Sequence, residues 1–575
     1  MYTPPTENIV EKKKCRLTGE EFFVTDKDLE MYKKLDIPSP DLCPRELWRN
    51  ILAYRNEWNL FSRTCSKTWA NILSQYRPDT IFPVYNHKLW WSDDWSAFDY
   101  GRDLPAGRQG FDFDKPFFDQ YKSLQDIVPR SGTTIFNSEN CEYNSHARYS
   151  KNCYLCSLFT KSEHAYYSYW TVEGRNIFNS AMSTACENIH NCLDIIRCTL
   201  CFGCQECRDS QECYFSYQLR NCKNCIACSG LVGKQYYIYN KPSTKEEYEK
   251  TLKLLKSSQQ VWNQAQTVFE KIRADSVRPA SQFTNVENST GDHLQNCKNC
   301  MDCMDGWDSE DCRHIMSFGG VRDCTWCYSL GFTSAESCTH TCVITNTFNT
   351  AYSFYIFDSK NLTYCDSCRN SSDLFGCIGV NHGQYAIMNR PYSQQEYETL
   401  RTKIIDHMKN TGEWGEFFPL KYSPHPYNDT AAHDWYPLTK SDVEKIWGQW
   451  WEEIMPTWSI SAEMPLHISQ YDERIVGAEE AKKNIDHVLT TVFSCQISKK
   501  PFQIIRQELL FHIENGIPLP TTHPRERNRE LMKLRNPREL HERACSECGK
   551  KIATSYTPER PEKILCEACF TKHIY

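Results

Sequence analysis

The chain has 575 residues, a formal net charge of −7 and 32 cysteines. A chain of this length forms several domains, and its acidic balance argues against a general nucleic-acid coat. Because its opening is polar and it lacks a long apolar run, we expect neither a signal peptide nor membrane insertion. We therefore expect a cytoplasmic protein whose thiols are reduced and act as packing groups or ligands.

The two ends of the chain are related by a shift of 480 residues. The matches are Cys15 with Cys495, Pro44-Arg45-Glu46 with Pro524-Arg525-Glu526, Arg55-Asn56 with Arg535-Asn536, and Cys65-Ser66 with Cys545-Ser546. The sequence therefore predicts two related end modules, an N-terminal module over residues 1–90 and a C-terminal module over residues 491–575.

Residues 91–131 are dense in aromatic rings and carboxylates. A run from Leu104 to Gly110 interrupts them and predicts an exposed inserted loop over 104–110. We expect the remainder to cap the open N-terminal end of the repeat array that follows. Binding of a sugar or a cation by these rings and carboxylates is the alternative.

A period of three residues runs without a break from Gly132 to Leu231. Helices repeat every 3.6 residues and strands every two, so this period fits neither. It predicts a β-solenoid over 132–242 whose twelve-residue coils turn one residue inward at each of four corners. The eight coils begin at Ser138, Ser150, Ser162, Gly174, Cys186, Cys198, Ser210 and Cys222.

The same unit returns over residues 281–391. Its eight coils are expected to begin at Asn285, Cys297, Ser309, Val321, Ala335, Thr347, Ser359 and Ser371. Two extra residues between Val321 and Ala335 predict a bulge or a loop. The predicted fold is thus mainly β with flanking α: two tandem β-solenoids of eight twelve-residue coils each, capped by helices, between duplicated zinc-ribbon-like end modules.

Both arrays end in the same motif, Gln-Tyr-x-Ile-x-Asn-x-Pro, from Gln235 to Pro242 in the first and from Gln384 to Pro391 in the second. A helix start follows each, Ser243 with Glu246 and Ser393 with Glu396. We expect a capping helix and linker over 243–280 and a capping helix over 392–410. Each helix should lie over the last coil and hide its open strand edge.

Outward positions of the first array form stripes that serve either packing or binding. Asparagines recur before the second inward position of each coil, where they tolerate a left-handed turn and can bond to one another. Aromatic residues recur just after that position. The candidate binding face consists of Asn140, Asn152, Tyr154, Tyr166, Phe178, Phe202 and Tyr214.

The cysteine ladders offer two interpretations. Cys198, Cys201, Cys204 and Cys207 are spaced like part of a ferredoxin cluster motif. Neighbouring coils, however, place Ser, Ile, Ala and Asn at these positions, which indicates packing. An iron–sulfur protein or another metalloenzyme that uses the ladders remains an alternative.

Residues 411–490 predict an irregular aromatic segment with helices, followed by the C-terminal module. There, Cys545, Cys548, Cys566 and Cys569 form two Cys-x2-Cys knuckles. Four thiolates close a tetrahedral shell around Zn²⁺, so we predict about one structural zinc per chain. The N-terminal copy carries only Cys65 of this set and should hold no metal. A second metal at Cys495 and His523 is a weaker hypothesis.

A basic stretch follows Pro524 in the C-terminal module. Candidate phosphate contacts are Arg525, Arg527, Arg529, Lys533 and Arg535. Glutamates interleave with them, which is typical of a salt-bridged surface helix. Nucleic-acid binding through this stretch is therefore an alternative and not the leading interpretation.

Three resemblances rest on these motifs. The coil pattern resembles the twelve-residue coils of beetle antifreeze proteins. Cys15-Arg-Leu-Thr-Gly and Leu42-Cys43-Pro44-Arg45-Glu46 resemble a bacterial probable zinc-binding domain in which Thr18 and Glu46 replace cysteines. The whole chain resembles uncharacterised Cys-rich zinc-ribbon proteins of candidate-phyla bacteria. This last resemblance implies a fold and no activity.

The sequence contains no phosphate-binding loop, no His-Glu-x-x-His and no nucleophile elbow. We therefore expect a non-catalytic zinc-containing binding or scaffold protein that presents solenoid faces to an unknown protein or other macromolecule. The alternatives are a nucleic-acid-associated zinc-ribbon protein and an iron–sulfur or other metalloenzyme.

Overall fold

The computed structural model describes residues 7–101, 111–330, 334–446, 448–452 and 485–574. Over these residues the chain is mainly β-strand with flanking helices, as the sequence predicts. The predicted inserted loop at 104–110 and part of the extra loop after Val321 lie outside the described residues. The same holds for much of the irregular segment over 411–490.

The first stack, residues 130–242, is built from parallel strands offset by twelve residues. Glu163 pairs with Arg175, and Arg175 pairs with Glu187. Fourteen of the strands form one eight-stranded sheet, whose last strand is antiparallel, and one six-stranded sheet, while Arg130–Ser131 pairs with Val84–Tyr85. The strands are Arg130–Ser131, Thr134–Phe136, His146–Arg148, Ser157–Thr160, Glu163–Tyr166, Tyr169–Val172, Arg175–Phe178, Ala181–Thr184, Glu187–His190, Leu193–Ile196, Thr199–Phe202, Gln211–Tyr214, Lys223–Ile226, Gln235–Ile238 and Lys241–Pro242.

The second stack, residues 278–391, has the same parallel pairing. Its strands are Arg278–Pro279, Phe283–Thr284, Gly291–Lys298, Cys303–Glu310, Arg313–Gly319, Val321–Arg322, Thr325–Leu330, Ala335–Glu336, Thr339–Thr363, Ser372–Phe375, Gln384–Ile387 and Arg390–Pro391. Val321 pairs with Ala335, so the two extra residues widen that step to fourteen. The long strand Thr339–Thr363 runs through several corners without interruption.

The first coil of the second stack differs from the prediction. Ser289 Oγ accepts a hydrogen bond from the Cys300 N–H, a step of eleven residues rather than twelve. Val286 packs against the buried cluster inside this stack, whereas Asn285 is outward with a φ of 52°. The predicted start at Asn285 is therefore wrong by one residue, because a step of eleven residues cannot be recognised in a fixed period of twelve.

Left-handed backbone recurs along both stacks, directly before the inward residues. Asn140, Asn152 and Asn188 have φ values of 51°, 54° and 52°, which confirms the role predicted for asparagine. Leu155 and Trp170, with φ values of 47°, adopt the same conformation. The parallel hydrogen bonds of the stack therefore impose this turn on residues that rarely adopt it alone.

Each stack closes with an asparagine in an antiparallel hairpin. Asn240 bonds to the N–H and C=O of Ser229, and Asn389 bonds in the same way to Ile378. These side chains satisfy part of the last strand edge. The helices that follow pack against the last parallel strands of their stacks, and Tyr248 of the first helix donates to the Glu212 carbonyl. That each helix hides the open strand edge remains a prediction.

The helix starts agree with the sequence at one of the two sites. Ser393 and Glu396 form the predicted capping box. In the first array the N-cap is Thr244, which accepts from the Glu247 N–H, so the predicted pair Ser243 and Glu246 is wrong by one residue. The predicted linker contains a second helix, since Ser258 caps the start of Gln259–Asp275.

The two stacks pack side by side in opposite directions. His146 Nε2 lies 3.1 Å from Tyr355 Oη, and Tyr169 Oη lies 3.3 Å from Tyr328 Oη. Farther along, Asp194 and Asp305 meet at Arg535. Residue numbers rise in one stack as they fall in the other, so the start of each stack lies beside the end of its neighbour.

Residues 91–131 pack at the far end of the second stack. Asn389 Nδ2 donates to the Ala97 carbonyl at 3.1 Å, and the Phe117 ring lies 5.5 Å from Phe375. The prediction that this segment caps the first array is therefore wrong. The two stacks pack in opposite directions, so the end of the second stack lies at this segment. Trp91 contacts the first stack, 5.5 Å from Phe136.

The end modules combine short hairpins with helices. Their strands are Ile9–Lys14, Glu21–Thr25, Phe61–Thr64, Asn71–Ser74, Val84–Tyr85, Phe493–Ser494, Pro501–Phe502, His541–Ala544, Lys551–Thr554 and Ile564–Leu565. Val84–Tyr85 pairs with Arg130–Ser131, and Ile564–Leu565 pairs with Arg278–Pro279. Each module therefore contributes a strand to the start of one stack.

Helices flank these strands throughout the described residues. They are Asp26–Lys34, Pro44–Leu52, His87–Trp91, Phe98–Gly101, Phe117–Gln125, Lys245–Ser257, Gln259–Asp275, Gln394–Thr411, Ala431–Trp435, Lys440–Lys445, Ile485–Thr490, Arg506–Asn515, Pro524–Met532 and Glu567–Ile574. Short 3-10 turns occupy Leu420–Tyr422 and Tyr427–Asp429.

Candidate functional site

The structure brings the four predicted metal ligands of the C-terminal module together. The sulfur atoms of Cys545, Cys548, Cys566 and Cys569 all lie within 4.8 Å of one another. Cys545 follows the strand His541–Ala544, and Cys566 and Cys569 lie at the start of the helix Glu567–Ile574. Cys548 is exposed and the other three are buried. Such a group could hold a metal ion.

Backbone N–H groups point at the sulfur of Cys545. The Cys566 N–H donates to Cys545 Sγ at 3.3 Å. Burial opposes the thiolate, but hydrogen bonds from the backbone of Cys548, Cys566 and Glu547 outweigh it and lower the pKa of Cys545 to about 6. A thiolate is the form that coordinates a metal, so the local backbone favours the ligand state.

The N-terminal module repeats this turn with only one of the four thiols, that of Cys65. The Asn86 N–H donates to Cys65 Sγ at 3.3 Å, and Ser66 N–H donates to the Val84 carbonyl just as Ser546 N–H donates to the Ile564 carbonyl. Thr68 and Leu89 stand where the C-terminal module has Cys548 and Cys569. The N-terminal module therefore has the backbone turn of the metal knuckle but lacks its set of four sulfur ligands.

Cys495 and His523 of the weaker metal hypothesis have other roles in the described structure. His523 Nδ1 accepts from the Arg525 N–H at 3.1 Å and so caps the helix Pro524–Met532. Burial and the nearby Arg527 lower the pKa of His523 to about 4. Cys495 accepts from the Ser498 N–H. The described residues bring no third ligand to this pair.

The same turn occurs in each half of each end module. Cys15, Cys65, Cys495 and Cys545 each donate their N–H to a carbonyl five residues on and accept at their own carbonyl from the residue four places on. A shift of fifty residues within each module relates these turns, and this internal repeat was not predicted from the sequence. The signal was the recurrence of one cysteine at that spacing.

The thiols inside the stacks bond to backbone. Cys201 Sγ lies 3.6 Å from the Thr199 carbonyl, and Cys204 Sγ lies 3.3 Å from the Cys213 carbonyl. Within the described part of the chain, the only group of three or more potential ligands that share one site is the set around Cys545. All 32 cysteines lie in the described residues and none forms a disulfide.

Most rings of the candidate binding face are covered by the chain itself. Phe178 stacks on Phe511 of the helix Arg506–Asn515 at 4.0 Å. Tyr166, Phe202 and Tyr214 are at most 5% exposed. These rings are therefore an internal interface rather than a free surface. Asn140, by contrast, is exposed, and its Nδ2 donates to Asn152 Oδ1 at 2.9 Å.

The candidate phosphate contacts are engaged within the molecule. Arg525 pairs with Asp434 at 2.7 Å and Arg527 with Glu508 at 2.5 Å. Arg535 is buried between Asp194 and Asp305. Arg529 and Lys533 pair with Glu526 and Glu530 and keep side chains that are 44% and 70% exposed. The structure therefore does not bring the five residues together on one basic surface.

No protein-family model matches the sequence, and no curated protein matches it. Among the described helices, none has both the length and the hydropathy that crossing a bilayer requires.

Proposed function

We propose that the chain is a non-catalytic zinc protein that serves as a binding or scaffold protein. The observation that carries the metal assignment is the convergence of four cysteine sulfurs within 4.8 Å. Four thiolates match the preference of Zn²⁺ for sulfur and tetrahedral geometry, and they leave no coordination position for a substrate. The metal then has a structural role: it holds the hairpin and the helix Glu567–Ile574 against the start of the second stack.

The scaffold part of the proposal rests on the repeated strands. We propose that both stacks are β-solenoids of twelve-residue coils, each with four inward corners. Solenoids present long regular faces, and such faces bind extended partners. Since every cysteine is a free thiol, a reducing compartment such as the cytoplasm suits the protein.

The partner-binding surface that we favour is the exposed asparagine ladder of the first stack. Asn140 and Asn152 bond to each other along this ladder, and charged residues flank them on the same sheet: Glu139 pairs with Lys151 at 3.0 Å. A polar face of this kind suits a protein or other macromolecule that presents hydrogen-bonding groups in a row. The aromatic rings next to it are already packed against helices of the chain.

Metal analysis tests the first part of the proposal. Protein purified without oxygen should contain about one zinc per chain and no iron or sulfide, and the double variant Cys545→Ser, Cys566→Ser should lose the zinc. The matched control is Cys198→Ser, Cys201→Ser, which removes two ladder thiols and should keep the zinc. Iron with sulfide, or zinc that survives the first double variant, would overturn the assignment.

Site-specific photo-crosslinking tests the second part. A photoreactive amino acid at Asn140, on the exposed ladder, should trap a discrete partner in cells. The control position is Thr184, which is exposed on the other sheet of the same stack. The proposed face is wrong if Asn140 gives no adduct or if both positions give the same one.

A further inference from the structure

A cavity of about 600 Å³ lies between the two stacks and the N-terminal module. Leu158 and Trp170 line it from the first stack, Trp307 and Val343 from the second, and Arg55 from the N-terminal module. Its volume falls in the range of small-molecule sites. It is separate from the four-cysteine group and from the asparagine ladder.

Three arginines line this cavity, and so do two carboxylates, Asp93 and Asp358. Arg55 is 1% exposed; its Nε pairs with Glu57 at 2.8 Å, but its buried Nη1 has no hydrogen-bond partner. Arg148 donates to the Thr345 hydroxyl at 3.1 Å. Arg369, 5% exposed, donates to the carbonyls of Trp90 and Trp91. Among the described residues, Glu57 is the only carboxylate within ion-pair distance of these three.

The C-terminal module contains an arginine that is equivalent to Arg55, and its contacts can be compared with those of Arg55. Arg535 corresponds to Arg55 in the shift of 480 residues, and there Asp194 and Asp305 hold the guanidinium from the two stacks. When the twelve-residue units of the two stacks are aligned in order, Asp194 of the first stack corresponds to Val343 of the second. In the same alignment, Asp305 of the second stack corresponds to Leu158 of the first. Both carboxylates are therefore replaced by apolar side chains that line the cavity. Glu57 supplies one carboxylate to Arg55, where the C-terminal module has Pro537, but the Nη1 of Arg55 still has no hydrogen-bond partner.

The remaining wall of the cavity is aromatic. Trp170 and Trp307 lie 6.0 Å apart across the two stacks, and Trp91 lies 5.5 Å from Phe136 and 5.9 Å from Phe357. Trp91 Nε1 is buried without a hydrogen-bond partner. Flat aromatic faces stack on planar rings, and an unpaired indole N–H can donate a hydrogen bond to an acceptor atom of a ligand.

We propose that this cavity binds a small anion that carries a planar ring. The arginines recognise the anionic group, and the tryptophans hold the ring. Mononucleotides and aromatic carboxylates share this chemistry. The mouth is polar, with exposed Lys88, Asn137 and His382.

Calorimetric titration of the full-length protein tests the proposal. The probes are AMP, GMP, CMP, UMP and indole-3-acetate, with adenosine and inorganic phosphate as probes that lack the anion or the ring. At least one ring-bearing anion should bind with one site per chain, and about tenfold more tightly than adenosine or phosphate. Binding of nucleotides points to a phosphate ligand, and binding of indole-3-acetate to a carboxylate.

Arg148→Gln should weaken this binding by about tenfold or more. Arg175→Gln is the matched control: it removes an arginine of the same stack that is 68% exposed and lies outside the cavity, and binding should not change. The proposal fails if no ring-bearing anion binds, or if Arg148→Gln binds as tightly as the wild type.

A second variant separates ligand binding from stability. Leu158→Asp places a carboxylate where Asp305 stands beside Arg535 in the other half. It should compete with the ligand and weaken binding by about tenfold, while the melting temperature is unchanged or higher. A folded Leu158→Asp protein that binds as tightly as the wild type would contradict the role of the Arg55 guanidinium.

Discussion

Thiols and hydroxyls are interchangeable donors inside the first stack. Cys204 Sγ lies 3.7 Å from the Phe202 carbonyl, and Ser180 Oγ donates to the Phe178 carbonyl at 3.0 Å. Both side chains are buried at equivalent positions of the stack and reach the carbonyl two residues back. What this position requires is a small side chain with a weak or moderate donor, and cysteine adds apolar contact area.

This equivalence predicts opposite outcomes for two substitutions of one buried thiol. Cys204→Ser should lower the free energy of unfolding by no more than about 1 kcal/mol, because serine occupies this place in other coils. Cys204→Leu should lower it by about 1–3 kcal/mol, because extra carbons do not fit a close-packed interior. Urea denaturation measures both. Equal losses for the two variants would contradict a packing role.

The left-handed corners predict a second pair of effects. Asn188 has a φ of 52°, a conformation that a β-branched side chain adopts only with strain. Asn188→Val should therefore cost about 1–2 kcal/mol of stability. Asn188→Gly removes the strain and should cost less than Asn188→Val. Thermal unfolding compares the two, and a valine variant at least as stable as the glycine variant would refute the argument.

One helix of the N-terminal module is attached to the second stack through charged contacts. Asp28, in the helix Asp26–Lys34, lies 2.8 Å from Arg313 and 3.1 Å from His314. Asp302 lies 2.9 Å from the other ring nitrogen of His314, Nδ1. Burial favours neutral histidine, but the two carboxylates outweigh it and raise the pKa of His314 to about 9.

This raised pKa predicts a loss of stability in mildly alkaline solution. An unfolded histidine has a pKa of about 6.5, so the charged form of His314 stabilises the fold fully below that pH. The contribution should fade as the pH rises to about 9, and its full size is about 3 kcal/mol. Free energies of unfolding measured between these pH values should fall in the wild type.

His314→Gln should lack this dependence, while the surface variant His164→Gln should keep it. Burial opposes the Asp28 carboxylate, but its contacts with His314 and Arg313 outweigh it and lower the pKa of Asp28, so Asp28 and Arg313 add no slope of their own over this pH range. A wild-type protein with flat stability over the range would show that the carboxylates do not hold the proton on His314.

Sequence periodicity predicted the parallel pairing because each inward position repeats locally. It could not predict the first coil of the second stack, where the step to Cys300 is eleven residues. It also could not identify what covers the aromatic rings after each second inward position. Phe178 meets Phe511, more than three hundred residues away in sequence, and no local pattern encodes that contact.

The four-cysteine group was predictable because its ligands lie close together in sequence. The cavity was not, since its arginines come from the N-terminal module and from both stacks. The relevant signal was present in the duplication: Arg55 matches Arg535, but Leu158 and Val343 do not match the carboxylates. This mismatch can be interpreted only when the two stacks are known to pack in opposite directions, and the sequence does not show that packing.

At the scale of the whole molecule, Arg535 joins three parts. Its guanidinium contacts Asp194 of the first stack at 3.1 Å and also pairs with Asp305 of the second. Arg538 reinforces the joint by pairing with Asp305 at 2.8 Å. All four side chains are at most 10% exposed. Charges buried this deeply are tolerated only while each has a partner.

Removing this arginine should therefore destabilise the joint by more than the loss of a surface ion pair. Arg535→Ala leaves Asp194 without its guanidinium and Asp305 with one of two, and should cost about 3–5 kcal/mol in the free energy of unfolding. Lys533→Ala is the control: Lys533 is 70% exposed and pairs with Glu530, so its loss should cost less than about 1 kcal/mol.

The cost should depend on the carboxylates and not only on the arginine. If the triple variant Arg535→Met, Asp194→Val, Asp305→Leu recovers most of the stability lost in Arg535→Ala, the penalty arises from unpaired buried charge, because apolar residues occupy the corresponding places around Arg55. Arg538 would then lose its partner, so recovery should be incomplete. A triple variant less stable than Arg535→Ala would show instead that the ion pairs themselves hold the two stacks and the C-terminal module together.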